Sequence, residues 1–290
     1  MSASVAVSII IPCYNDGRFL REAVDSIPPS LHGLSEIIIV DDGSSEEETI
    51  RILARLLEQG VKVVRQENRG LGAARNFGIQ HALGRYLLPL DADNRLRADY
   101  LHRGVAILDE DPAVDVVYGD AEYFGEKTGR WKVGSFSLPL LLSSNYIDAC
   151  AVFRKAAWDR CGGYDEHMPV QGHEDWDLWC RIACSGGRFH YAEEVLFDYR
   201  VRNDSMSVSM RQKERMEEVY RYVRNKTIQI TIGEFLSRQL SWEMAVVRFR
   251  ANPIRMLVNL FFRSFLPGVH KILRKTGDSK RDLGPVPSTE

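Results

Sequence analysis

The stretch Val5-Ala6-Val7-Ser8-Ile9-Ile10-Ile11-Pro12 decides the fold class of this 290-residue chain. It is apolar except at Ser8, rich in β-branched residues and stopped by proline, the pattern of a strand covered on both faces. Working outward, residues 18–26 read as a short helix. Residues 36–40 read as a second buried strand that runs out into Asp41-Asp42-Gly43-Ser44-Ser45. A helix follows, with Ser45 as its expected cap, Glu46, Glu47 and Glu48 in its first turn, and Ile50, Leu53, Ala54 and Leu57 on one face. Residues 61–64 and 86–90 make a third and a fourth strand, with a helix over 72–83 between them, and the fourth ends on Asp91-Ala92-Asp93. This alternation predicts a parallel sheet with helices on both faces. Such sheets bind ligands beyond the carboxyl ends of their strands, and two of those ends are acidic here.

Farther along, strands at 114–119, 151–154 and 195–199 mix with helices at 155–161 and 175–184. From about residue 208 the pattern turns helical, and the tail from Gly277, with Gly284, Pro285 and Pro287, reads as unstructured. The length suggests about two domains. With 44% apolar and 27% charged residues, the composition excludes a disordered or fibrous chain. Lys plus Arg (38) nearly balances Asp plus Glu (40), which argues against a dedicated nucleic-acid binder. Five cysteines, an odd number with no Cys-x-x-Cys, argue against a disulfide framework or a zinc ribbon and for a reducing compartment. Met1-Ser2-Ala3-Ser4 lacks the positive stretch of an export signal, and no run of 18 apolar residues occurs, so the expectation is a soluble, cytoplasmic protein.

Several residues suggest chemistry, each with a plainer reading beside it. Asp91-x-Asp93 at a strand end can share one hard cation with substrate phosphates, or can simply close a turn. Asp41-Asp42 can accept from a base or ribose, or form a turn before an acidic helix start. Glu174-Asp175 opens a helix on which Asp175 shares the face of Leu178, Trp179 and Ile182; an inward carboxylate there is a dipole partner or a general base. Gly70-Leu71-Gly72-Ala73-Ala74-Arg75 starts like a dinucleotide fingerprint, but Arg75 stands in the third glycine's place, which suits a diphosphate better. Tyr14 can stack on a base or be an ordinary half-buried tyrosine. Tyr146, Asp148, Trp176 and Trp179 can line a sugar site or belong to the core.

Taken in order, Ser8-Ile9-Ile10-Ile11-Pro12-Cys13-Tyr14-Asn15, Val40-Asp41-Asp42-Gly43-Ser44, Glu67-Asn68-x-Gly70-x5-Asn76-x-Gly78, Asp91-Ala92-Asp93, and Gly162-Gly163-Tyr164-Asp165-Glu166 with Glu174-Asp175-x-Asp177 resemble the motif series of family 2 glycosyltransferases. The resemblance covers about residues 5–207. It implies an α/β GT-A fold, a Rossmann-like, mostly parallel sheet flanked by helices, with a helical C-terminal extension. The catalytic domain would be 1–207, its nucleotide-binding half about 1–120 and its acceptor half about 121–207; the extension would be 208–276 and the tail 277–290. It further implies an inverting transfer of a sugar from a nucleotide-linked donor, most often UDP-linked, to a hydroxyl of a surface glycan or lipid-linked saccharide. Pro12, Tyr14 and Asp42 would hold the base, Asp91 the ribose or phosphate, Asp93 a Mn²⁺ or Mg²⁺ ion on the diphosphate, and Asp175 the acceptor's proton. Arg75 would lie near the diphosphate, and Glu174 and Trp176 near a sugar. Relatives often carry Tyr-Arg-x-His where this chain reads Tyr199-Arg200-Val201-Arg202, so Arg202, which cannot ligate a metal, is expected on the diphosphate instead. The competing readings are a sugar-nucleotide nucleotidyltransferase, disfavoured by the glycine-poor Pro12-Cys13-Tyr14-Asn15-Asp16, and an inactive scaffold, disfavoured by Asp42, Asp93 and Asp175 together.

From Met244 to Lys275 there are basic residues and no acidic one, and Ile254, Leu257, Val258, Phe261 and Phe265 share a helical stripe. A basic amphipathic helix of this kind suits an anionic membrane surface; the alternative is a helix packed on the catalytic domain.

Overall fold

The computed structural model describes residues 5–28, 33–203 and 213–251. Strands β1 (Val7–Cys13), β2 (Ser35–Asp41), β3 (Lys62–Arg65) and β4 (Tyr86–Pro89) run parallel in the order β3-β2-β1-β4. The pleat divides the apolar run of β1 between two layers. Ile9 and Ile11 pack with Leu20 of α1 (Gly17–Asp25), Leu53 and Leu56 of α2 (Glu47–Glu58), and Leu101 of α4 (Tyr100–Glu110). Ile10 packs with Ala74 and Ile79 of α3 (Leu71–Gln80), Ala157 of α6 (Lys155–Arg160), and Trp176 and Trp179 of α7 (Glu174–Cys184). Ser8 is tolerated inside the strand because its hydroxyl donates to Glu36 Oε1 at 2.6 Å and accepts from the Gly84 amide at 2.9 Å.

Past β4 the sheet stops being uniformly parallel. It continues β4-β8-β6-β9-β5, where β8 (Val152–Arg154) is antiparallel to β4 and β6 (Val114–Gly125) and β9 (Arg188–Val201) is parallel to β6. β5 (Arg95–Leu96) closes the edge, and β7 (Gly129–Trp131) folds back on β6 as a hairpin. The short α5 (Leu138–Ser143) lies between β7 and β8. Helix α8 (Lys213–Ala251) buries Val219 and Val223 in the same core as Trp176. The chain divides into two compact units, residues 1–231 and 232–290.

Two details of α2 differ from the expectation. Its cap is not Ser45: the amides of Ser45 and Glu46 both donate to Asn15 Oδ1 at 2.9 Å, so a loop from β1 satisfies the helix start. Its buried face is Thr49, Leu53 and Leu56, while Ile50 and Leu57 point to solvent. The basic stretch 244–275 falls outside the described residues beyond the backbone of α8 up to Ala251. Among the described residues no helix is long and apolar enough to cross a membrane.

Helix α3 comes close enough to the sheet to demand a glycine. A Cβ at Gly78 would stand 2.6 Å from Ile10 Cγ2 and 2.8 Å from Val40 Cγ2, both fully buried. Overpacking of this sort costs about 1–3 kcal/mol, and the better helix propensity of alanine returns about 1. Gly78→Ala is therefore expected to lower stability by up to about 2 kcal/mol, read as a lower urea midpoint with an unchanged slope. A midpoint at or above the parent's would mean that α3 moves off the sheet freely.

Candidate active site

A cleft of about 970 Å³ opens where β1, β2 and β4 end. Parallel register brings these ends to one edge: Cys13 pairs with Asp41, and the Leu90 amide donates to the Ile10 carbonyl at 2.9 Å. Pro12, Tyr14, Asp42, Arg75, Asp91, Asp93, Asp175 and Arg202, far apart in sequence, all line it.

On the β1–β2 side Tyr14 is half exposed at the rim. Asp42 is buried and already well occupied: Oδ1 accepts from Gln66 Nε2 at 2.6 Å and the Arg69 amide at 3.0 Å, and Oδ2 from the Gly70 amide at 2.9 Å. These bonds tie residues 66–70 to the end of β2. They also explain Gly70, whose φ of +89° lets the chain turn into α3 beneath that carboxylate.

Two arginines serve the two acids after β4. Arg75, reaching in from α3 and almost wholly buried, gives Nη2 to Asp91 Oδ1 at 2.8 Å and lies over the Tyr164 ring at 5.5 Å. Arg202 pairs with both Asp16 oxygens and stands 3.0 Å from Asp93 Oδ2. Arg200, two residues earlier, donates from Nε to the Asp93 carbonyl at 2.9 Å, fixing that backbone. Burial and the neighbouring charge of Asp91 push Asp93 up to about 6, against the pull of Arg202. Arg202 is thus a partner of the two acids, Asp16 and Asp93.

Among the described residues no three Asp, Glu, His or Cys groups gather to hold a metal. An all-protein cage is absent there, but a partly desolvated carboxylate that gives up its contact with Arg202 fits a hard cation that takes its remaining ligands from substrate phosphates and water. Asp93 is the residue that would hold it.

Asp175 stands in the first turn of α7 and lines the same cleft. Its Oδ1 accepts from its neighbour's amide, Trp176, at 2.7 Å and from Asn145 Nδ2 at 3.1 Å. Burial and the charge on Asp91 hold its carboxyl at about 6, despite Arg75 and those two donors. Asp148, on the same loop as Asn145, is pushed up by burial and by Asp91 and Asp175. The assignment of Trp176 and Glu174 to a sugar site is corrected here. Trp176 is fully buried, its indole N–H donating to the Leu141 carbonyl at 2.6 Å, and Glu174, also buried, accepts from the Gly172 amide at 2.9 Å. Neither lines the cleft. Trp179 likewise donates to the Ile147 carbonyl at 3.2 Å, and Tyr146 is buried with its hydroxyl accepting from the Ser137 amide. The two tryptophans are posts that hold residues 141–148 against α7.

The Asn76 and Gly-Gly-Tyr-Asp-Glu motifs explain each other. Asn76 donates to the Tyr164 carbonyl and Glu166 Oε1, and accepts from the Tyr164 amide and Trp158 Nε1. Asn145, His173, Asp16 and Trp131 also line the cleft and went unnoticed in the sequence reading. None has a local pattern that marks it; each arrives from a loop or a hairpin whose placement is a tertiary matter.

Comparison with known proteins agrees with this architecture. The model of Glycosyl transferase family 2 matches residues 8–162, and the chain belongs to that family. A PGL/p-HBAD biosynthesis glycosyltransferase of Mycobacterium bovis is 34% identical over 182 residues, covering 61% of this chain and 70% of that protein. A glycosyltransferase of Rickettsia felis is 28% identical over 213 residues, 69% of this chain but only 35% of its own length, so the chain spans about a third of that relative. Among solved structures, S. aureus TarS 1–349 in complex with UDP-GlcNAc matches with a TM-score of 0.62 and 21% identity over 82% of this chain and 73% of that one. The mannosyltransferase PcManGT from Pyrobaculum calidifontis, in complex with GDP-Man and Mn²⁺, matches with a TM-score of 0.53 and 17% identity over 94% of this chain and 88% of that one. These two likenesses establish the GT-A fold.

Proposed function

We propose that the protein is an inverting glycosyltransferase that moves a sugar from a nucleotide diphosphate donor, UDP-linked, to a saccharide hydroxyl. The observation that carries this reading is one cleft lined by two acidic elements. Asp91 and Asp93 follow the end of a strand and Asp175 opens a helix, with one of its oxygens pinned and the other left for a proton. Inversion is a single displacement: the acceptor oxygen bonds to the anomeric carbon as the bond to the diphosphate oxygen breaks, and the acceptor's proton goes to Asp175. Pro12, Tyr14 and Asp42 hold the base. Arg75, whose buried Nε has no hydrogen-bond partner among the described residues, offers that N–H to a phosphate oxygen. Arg202, held between Asp16 and Asp93, contributes positive charge beside the leaving group. A divalent cation, when bound, stabilises the charge that develops on the diphosphate. The reading takes residues 1–207 as the catalytic domain and a surface glycan or lipid-linked saccharide as acceptor. It takes the basic stretch 244–275 as a contact with the inner face of the cell membrane.

Titrating UDP into the protein with and without Mn²⁺ tests the donor side. Metal-dependent binding is expected, and Asp93→Ala is expected to weaken it by at least about tenfold, since it removes the one carboxylate offered to the ion. Binding of GDP or dTDP in place of UDP would change the donor but not the reaction. Binding of no nucleotide would overturn the reading.

A further inference from the structure

Asn145 does two things at once. Its Nδ2 donates to Asp175 Oδ1, yet its Oδ1 is buried and has no hydrogen-bond partner among the described residues. Buried amide oxygens in native proteins nearly always have a partner, and this one belongs to a residue that lines the cleft, so the donor it calls for comes from outside the described residues. The loop cannot simply turn to supply that donor, because the Trp176 and Trp179 indoles hold it at Leu141 and Ile147. Turning the amide over would place its carbonyl against the carboxylate. An amide oxygen only accepts, so its missing partner carries an O–H or N–H group. His173, at the start of α7, repeats the situation: it lines the same cleft and both of its ring nitrogens are buried without a partner among the described residues.

We propose that Asn145 is the positioning residue for Asp175 and that its Oδ1 accepts a hydrogen bond from a hydroxyl of the saccharide acceptor. This rests on the transferase reading above. With Oδ1 of Asp175 held by Asn145 and by the Trp176 amide, Oδ2 is the oxygen left to take the acceptor's proton. The same amide group therefore aims the base and registers the substrate.

The groups facing Asp175 are Glu174 and Cys180 on its own helix, Arg75 from α3, Tyr164, Asp91 from the end of β4, and Asp148 beside Asn145. Losing the Nδ2 donor removes one of the contacts that favour the charged form. The test compares the full-length parent with Asn145→Ala and, should alanine fail to fold, Asn145→Ser. It reads UDP affinity, hydrolysis of UDP-GlcNAc and GDP-mannose with Mn²⁺ across pH, and transfer to a panel of methyl glycosides. UDP affinity within about twofold, hydrolysis lower by about tenfold and an acidic limb moved upward are expected, from one lost hydrogen bond to a charged group. Transfer is expected to fall further than hydrolysis, because only the saccharide loses the Oδ1 contact. An unmoved limb with unchanged turnover would overturn the positioning role, and equal losses in transfer and hydrolysis would overturn the acceptor contact. A parent that neither binds a nucleotide nor cleaves either donor would instead sink the transferase reading, and this proposal with it.

Discussion

Asp175→Asn is expected to lower turnover by about 10²- to 10⁴-fold while UDP affinity stays within about twofold. The substitution is nearly isosteric, and an asparagine Oδ1 can still accept from the Trp176 amide and from Asn145 Nδ2. The lost factor is then the proton acceptor itself, about 3–5 kcal/mol of barrier. The pH profile supplies a second reading. Asp175 sits at about 6 through burial and the charge of Asp91, so parent turnover is expected to rise through that value and level off above pH 7. The variant should lose the part of that limb that belongs to Asp175, while Asp93, also at about 6, keeps its own. Stability should move the other way. A carboxyl whose folded pKa lies above its unfolded value of about 3.9 costs nothing below that value, and the cost grows as pH rises toward the folded pKa. Asp175→Asn is therefore expected to be about 2–3 kcal/mol more stable above pH 7 and no more stable below pH 4. Turnover within tenfold of the parent would remove Asp175 from the role.

The parallel half of the molecule was legible because its signals are local. The runs before Pro12 and Asp41 are too apolar to be anything but doubly covered strands, and parallel pairing then brings their acidic ends together. Where placement depends on tertiary contact, legibility stopped. The start of α2 is capped from Asn15, a residue in the left-handed region at φ +52°, which no Ser-first reading of residues 44–48 could foresee. β9 begins at Arg188 rather than 195 because its first half is exposed on alternate residues and held by main-chain pairing to β6, not by burial. Trp176 could be read either as a sugar platform or as core, because an aromatic face suits both. Successive residues on a helix point about 100° apart, so when Asp175 faces the cleft its neighbour faces the core. Arg202 lines the cleft, but its pairing with Asp16, distant by 186 residues in sequence, had no local sign.

Arg75→Met should be the most damaging substitution to the fold of the site. Methionine can replace the aliphatic stem but not the charge; a fully buried pair loses about 3–5 kcal/mol when one partner is removed, and the loss here is expected to be smaller because Asp91 keeps a third of its side chain exposed. The reason lies in what surrounds it. Burial works against the guanidinium, but Asp91, Tyr164, Glu174 and Asp175 more than restore its charge, so its pKa ends above the ordinary value. Its charge in turn restrains Asp148, Glu174 and Asp175, all three of which are already pushed upward. Without it they rise further. Acids raised in the folded state are protonated at no cost near pH 4 and oppose folding increasingly as pH climbs. The loss in Arg75→Met is thus expected to be smallest near pH 4–5 and largest near pH 8, measured by urea unfolding at each pH. Arg75→Lys should recover part of the stability at pH 8, as a point charge without the fork that reaches Asp91. A loss that is the same at both pH values, and that lysine does not reduce, would mean that Arg75 acts by filling space. In that case the crowding of carboxylates around the cleft must be balanced by something other than this arginine.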